Sequence, residues 1–342
     1  MTSRRHPEGF SPKDPKRNGF FACALNDGEL RIMNKLKNKD FISVADLTEE
    51  EIFTILDLTK KLKDDHKKGM AQPLLQGKIL AMIFQKPSTR TRVSFESGIA
   101  QLGGQGLFLS SADLQLGRGE TVADTAKVLS RYVDGIMART FKHQDVLDLA
   151  QHGTVPVING LTDFNHPCQA MADIFTIYEK KKKFKGLKLV YVGDGNNVAH
   201  SLLDACSLIG MDIVIATPNG YEPLNEVVEL AQKTASKKGS EVLLMNDARE
   251  AVRGADVIYT DVWASMGQEA EHTKRVQVFK SYQLNSSLLK GAKQDHLVMH
   301  CLPAHRGEEI TDEVVDGPNS VVFDQAENRL HVQKAIMALL MS

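Results

Sequence analysis

Short unbroken apolar runs that alternate with helical repeats constrain this chain more than any other feature. "KILAMIF" (78–84), "GLFLS", "DGIMART" and "VPVIN" read as strands, and "VSFESGIAQLGG", "TVADTAKVLSRY" and "HQDVLDLAQH" between them carry the helical period. A strand apolar at every position is covered on both faces, and βαβα order makes a parallel sheet. After the helical "HPCQAMADIFTIYEKKKK" the rhythm restarts with "LKLVYVGD", "DIVIATP", "EVLLMND", "DVIYTDV" and "HLVMHCLP", which predicts a second sheet. The fold class is therefore α/β: two domains, each a parallel sheet flanked by helices.

The 342 residues are enough for two cores of ordinary size. The expected domains are 33–180 and 181–322, with Lys180 to Lys183 a solvated crossing between them. "LTEEEIFTILDLTKKLKDD" opens the fold as a helix with Thr48 and Glu51 as a capping box. "AENRLHVQKAIMALLM" closes it, within residues 323–342, as an amphipathic helix with Leu330, Ile336, Leu339 and Leu340 on its apolar side, returning to the first domain. Residues 1–32 show no period and are expected to be a disordered leader. Pro7, Pro12 and Pro15 oppose the amphipathic helix of an import presequence, while a start at Met33 is equally open.

A formal net charge of −1 gives no electrostatic reason for a nucleic acid or anionic membrane partner. No apolar stretch approaches the length of a spanning helix. The four cysteines are far apart, which fits a reducing compartment and a cytoplasmic location.

Functional residues gather where strands end. "FQKPSTRTRVSFES" places Ser88, Thr89, Arg90 and Thr91 after an apolar strand and at the start of a helix, a position that attracts anions. "VGDGNNVAHS" resembles a dinucleotide fingerprint but lacks the small residue three places after Gly195 and the later acidic residue, so no nicotinamide cofactor is expected. Asn197 instead reads as a side chain aimed at a polar substrate. His166 with Cys168, and His300 with Cys301, raise the question of zinc. Neighbours on a strand point to opposite faces, so no metal is expected. Asp261 ends a strand either as a turn former or as a carboxylate suited to a cationic amine, and Trp263 and Met266, as apolar cover, make the second reading coherent.

Taken in order, "STRTR", "ART", "HPCQ", "GDGNN", "DVWASMG" and "HCLP" resemble the carbamoyltransferase family, in its ornithine-using branch, over about residues 35 to 342. The resemblance implies transfer of a carbamoyl group from carbamoyl phosphate to L-ornithine in a homotrimer or an assembly of trimers, without a cofactor. It further implies that Ser88, Thr89, Arg90, Thr91 and Arg139 hold the phosphate, and that Arg139 and His166 reach the carbonyl oxygen. Pro167, Cys168, Gln169, Cys301, Leu302 and Arg329 would complete that site, with Gln115 reaching in from a neighbouring subunit. Asn197, Asp261, Ser265 and Met266 would hold ornithine, and Arg139, His166 and Cys301 would be the catalytic groups. Aspartate would need extra cations near the second-domain loops, where the sequence shows Asp261, Ser265, Met266, Cys301 and Leu302. Putrescine as acceptor, or a non-catalytic anion-binding module, are the other readings.

Overall fold

The computed structural model describes residues 36–111, 119–264 and 271–342. The leader, Gln115, Ser265 and Met266 lie outside the described residues.

Thr48 caps α1 (Glu49–Lys67), accepting from the Glu51 N–H at 3.2 Å while Glu51 reaches back to the Thr48 N–H at 2.8 Å, the reciprocal box the sequence predicts. The chain then runs through β1 (Ile79–Phe84), α2 (Thr89–Gln101), β2 (Gln105–Ser110), α3 (Val122–Leu129), β3 (Gly135–Arg139), α4 (His143–His152) and β4 (Val157–Leu161). These strands form a parallel sheet in the order β2-β1-β3-β4. The long helix α5 (Pro167–Lys181) leads into the second half of the chain, and beside it Lys181 Nζ pairs with Asp295 at 2.7 Å.

The second parallel sheet has the order β7-β6-β5-β8-β9. Its strands are β5 (Lys188–Val192), β6 (Asp212–Ala216), β7 (Val242–Met245), β8 (Val257–Thr260) and β9 (Leu297–His300). Between them lie α6 (Asn197–Ile209), α7 (Asn225–Lys238), α8 (Ala248–Ala251), α9 (His272–Phe279) and α10 (Ser286–Leu289), with α11 (Asp312–Val315) following β9. In each sheet the first strand has neighbours reached by crossovers in opposite directions: β1 lies between β2 and β3, and β5 between β6 and β8. Crevices open at the carboxyl ends of strands at such reversals.

The closing helix α12 (Val322–Met341) packs on α1, α2 and α5. It is not the one-sided amphipathic helix the periodicity predicts. Leu330 is only half-buried, while Gln325, Asn328, Arg329, Gln333 and Lys334 are buried with its apolar residues. Their polar groups find partners inside: Asn328 Nδ2 donates to Thr176 Oγ1 at 2.9 Å, and Lys334 Nζ to Gln101 Oε1 at 3.0 Å. A helix surrounded by other helices must satisfy polar side chains internally, so a sequence period underestimates its burial. One apolar core runs through α1, α5, α6 and α12 on the inner faces of both sheets.

Candidate active site

The crevices of both sheets open into one cavity of about 1080 Å³. Ser88, Thr89, Arg90, Thr91, Arg139, His166, Gln169, Asn197, Asp261, Cys301, Leu302 and Arg329 all line it. The sequence expectation therefore converges in space, with two exceptions among the described residues. Pro167 and Cys168 are buried in the first turn of α5, and the Cys168 thiol donates to Asn159 O at 3.4 Å away from the cavity. Burial pushes that thiol up to about 12. A helix alternates faces within a turn, so adjacency to His166 and Gln169 does not place Cys168 beside them.

At one end, Ser88 caps α2, its hydroxyl accepting from the Thr91 N–H at 3.2 Å. The Thr91 hydroxyl is a meeting point for Arg139 Nη1 at 3.5 Å, from the end of β3, and Arg329 Nη2 at 3.3 Å, from α12. Both guanidiniums are buried. Burial, with the neighbouring Arg329 and Arg90 charges, pulls Arg139 down to about 10; burial also lowers Arg329. Cations held this close in a poorly hydrated helix mouth favour an anion with several oxygens.

His166 sits just before α5, its backbone N–H donating to Ser201 Oγ at 2.8 Å. Burial first, then the charges of Arg329 and Arg139, hold its imidazole well below the usual histidine range. It is neutral at pH 7 and offers one N–H as a donor. Gln169 is fixed at both ends of its amide: Oε1 accepts from Arg329 Nη1 at 2.6 Å and Nε2 donates to Asp173 Oδ1 at 2.8 Å.

At the other end, Asp261 follows β8. Its Oδ2 accepts from Asn196 Nδ2 at 2.8 Å, and its Oδ1 from the Val262 N–H at 2.8 Å and the Cys301 thiol at 2.9 Å. Burial and the Asp261 carboxylate push the Cys301 thiol well above its usual range, so the sulfur keeps its proton. Asn197 donates its amide N–H to Thr162 O at 2.6 Å, tying α6 to the loop after β4. Gly195 is required by close approach, because a Cβ there would meet Pro223 N at 2.2 Å. That crowding accounts for the second glycine of "GDGNN".

Two details differ from the sequence expectation: His300 and Cys301 do not point to opposite faces, and Trp263 is not a cover. Cys301 lies just beyond β9, where strand alternation no longer applies, and Asp261, His300 and Cys301 each bring one ligand atom within 4.8 Å of the others. Both His300 nitrogens are engaged, Nδ1 by the Leu302 N–H at 2.9 Å and Nε2 by Glu309 Oε1 at 3.1 Å. Leu302 itself is turned into the left-handed region, at φ 57. Trp263, expected as apolar cover, is a core residue stacked on Phe279.

Sequence reasoning also missed Lys86 and Arg275. Lys86 lies within the opening motif, paired with Asp163 and 4.4 Å from the Phe141 ring centroid. Its place two residues before Ser88 was the available signal. Arg275 adds a cation to the cavity that Asp261 also lines, on α9, where no strand-end motif points to it. It donates to Trp263 O at 2.9 Å and pairs with Asp194 Oδ2 at 3.0 Å and Glu271 Oε2 at 3.1 Å. Burial raises the Asp194 carboxyl to about 6 while Arg275 opposes that rise.

Comparison with known proteins gives two family matches: the carbamoyl-P binding domain of aspartate/ornithine carbamoyltransferase over residues 39–179, and the Asp/Orn binding domain over 185–340. An ornithine carbamoyltransferase of Pyrococcus abyssi is 61% identical over 306 residues, covering 90% of this chain and 96% of the relative. One from Bacillus subtilis is 59% identical over 306 residues, covering 90% and 95%. Among solved structures, the ornithine carbamoyltransferase of Pyrococcus furiosus aligns with a TM-score of 0.88 at 61% identity, covering 90% of this chain and 98% of that one. A mitochondrial ornithine carbamoyltransferase from Coccidioides immitis aligns at 0.82 and 39% identity, covering 89% and 98%.

Proposed function

This chain belongs to the aspartate/ornithine carbamoyltransferase family, and from that premise we propose that it carries the carbamoyl group of carbamoyl phosphate to the δ-amine of L-ornithine, giving L-citrulline and phosphate. The observation that carries the reading is the joining, in one cavity, of a cationic helix mouth and a buried carboxylate presented by the other sheet.

Ser88, Thr89, Arg90, Thr91 and Arg139 receive the phosphate oxygens. The attacking amine adds to the carbonyl carbon, and negative charge grows on the carbonyl oxygen, then on the departing phosphate. Arg139 and the neutral His166 donate to that oxygen, and fixed donors of this kind are worth about 10²-fold or more in rate. Gln169 and the backbone at Cys301 and Leu302 hold the carbamoyl NH₂, with Arg329 fixing Gln169. The reaction needs no cofactor, because carbamoyl phosphate brings its own leaving group.

Ornithine binds through its α-amino group at Asp261, with Asn197, Ser265 and Met266 completing its site. Its δ-amine, like a lysine side chain of pKa about 10.4, must lose a proton before it attacks. Cys301, as a neutral thiol, orients Asp261 and is not the base. The charge pattern favours ornithine over aspartate: Arg275 is present but already held by two carboxylates, and Asp261 would repel the second carboxylate of aspartate.

We propose further that the active assembly is a homotrimer in the cytoplasm, with Gln115 acting across the interface. The half-exposed Leu107 and Phe108 lie on the edge strand β2, whose unpaired edge supports cover by a second subunit there. Among the described residues, no helix is long and apolar enough to cross a membrane. Native mass measurement tests the trimer. Incubation with carbamoyl phosphate and ornithine, aspartate or putrescine in parallel tests the acceptor: citrulline is the expected product, and carbamoyl-aspartate alone would overturn the assignment.

A further inference from the structure

A cluster that carbamoyl transfer does not use lies at the rim of the cavity. His272 opens α9, and His305 and Glu308 lie in the loop that follows β9. His272 Nε2 is 3.0 Å from Glu308 Oε2, and His305 Nδ1 is 3.7 Å from the same oxygen. One ligand atom from each lies within 4.8 Å of the others. We propose that His272, His305 and Glu308 form a binding site for a divalent transition-metal cation of the zinc class.

Three features distinguish this trio from a surface ion pair. A single pair needs only one histidine, yet two imidazoles from separate segments converge on one carboxylate oxygen. The separations also suit a metal: ligands about 2.0–2.1 Å from a tetrahedral ion lie about 3.3 Å apart, and 3.0 and 3.7 Å bracket that spacing. Two imidazoles and one carboxylate are a donor set that favours zinc over magnesium or calcium, with a fourth position left to solvent.

The loop is also held before any ion arrives. Gln283 Nε2 donates to Gly307 O and Glu308 O, each at 2.8 Å, and the Glu308 N–H donates to His305 O at 3.0 Å. A bound cation would tie the first turn of α9 to the loop carrying Cys301 and Leu302. Both His305 and Glu271, the residue before α9, line the cavity, so the tie would span its rim.

The test uses the full chain without an affinity tag, titrated calorimetrically with Zn²⁺. Binding of one ion per chain is expected, weakened at least ~10-fold in His272→Gln and in Glu308→Gln and unchanged in Cys301→Ser. Zn²⁺ should raise the melting temperature of the unsubstituted protein and not that of His272→Gln, whose metal-free melt serves as the folding control. Cobalt(II) should give ligand-field absorption without a thiolate charge-transfer band. Undiminished affinity in His272→Gln, no binding at all, or a charge-transfer band abolished by Cys301→Ser would overturn the proposal, the last by placing the ion at the thiol.

Discussion

The Cys301 thiol donates to Asp261 Oδ1 across 2.9 Å, joining the loop after β9 to the end of β8. Thiolate is the reactive form of cysteine, and burial beside a carboxylate suppresses it. Alkylation of Cys301 by iodoacetamide at pH 7.5 should be at least ~10-fold slower than that of an unperturbed cysteine, since each unit of upward shift removes about tenfold of the thiolate. Peptide mass spectrometry reads the labelling. In Cys301→Ala, loss of the donor should raise the ornithine KM more than the carbamoyl phosphate KM.

His166 should act as a neutral donor. Its folded-state pKa lies well below that of the unfolded chain, so it contributes no ionisation to kcat/KM near pH 6.5. His166→Ala should lower kcat by about 10²-fold, and the pH profile of the residual activity should keep its shape.

Arg139, Arg329 and Arg90 repel one another in the absence of an anion. Replacing Arg139 with Met should therefore raise the melting temperature of the ligand-free protein while lowering kcat/KM by about 10²-fold or more. Inorganic phosphate should stabilise the original protein and have a smaller effect on the variant, as scanning calorimetry with and without phosphate would show.

Asp173 lies beneath Gln169, and its Oδ1 also accepts from Gln325 Nε2 at 2.7 Å. Burial raises its carboxyl from 3.8 to about 7 despite these hydrogen bonds. The folded state therefore holds a proton that the unfolded state has lost: the stabilisation is full below pH ~4 and is lost as pH rises toward ~7. Asp204, also raised to about 7, adds to the same trend, whereas His166 acts oppositely below pH ~6.5. Asp173→Asn isolates one group. Its stability relative to the original protein should grow between pH 4 and 7 and then level, as urea titrations at pH 5 and pH 8 would show.

Arg275 holds both sides of the segment between Trp263 and Glu271. Arg275→Lys cannot satisfy Trp263 O, Asp194 and Glu271 with one ammonium in that geometry. The ornithine KM should rise by about tenfold or more with little change for carbamoyl phosphate, measured by varying each substrate in turn.

The strand ends were legible because buried parallel strands leave unbroken apolar runs, and residues just beyond them fall in crevices by topology. That logic singled out Ser88, Asn197 and Asp261, which share one cavity, and Arg139 and Cys301, expected there only from the family resemblance, line it with them. It failed where the relevant spacing is helical or tertiary. Cys168 turns away within one helical turn, Trp263 is drawn into the core by Phe279, and Arg275 reaches the site from the middle of a helix. The burial of α12 was likewise hidden, because it depends on three partner helices remote in sequence.

The proposed reaction requires an acyl phosphate seated at the mouth of α2 facing an amino acid held by the other sheet. A crystal structure with a phosphonate-bearing bisubstrate analogue of carbamoyl phosphate and ornithine tests this most directly. The phosphonate should contact Ser88, Thr91 and Arg139, and the α-amino group should lie against Asp261. A phosphonate bound away from Thr91 and Arg139, with this cavity holding only solvent, would contradict it.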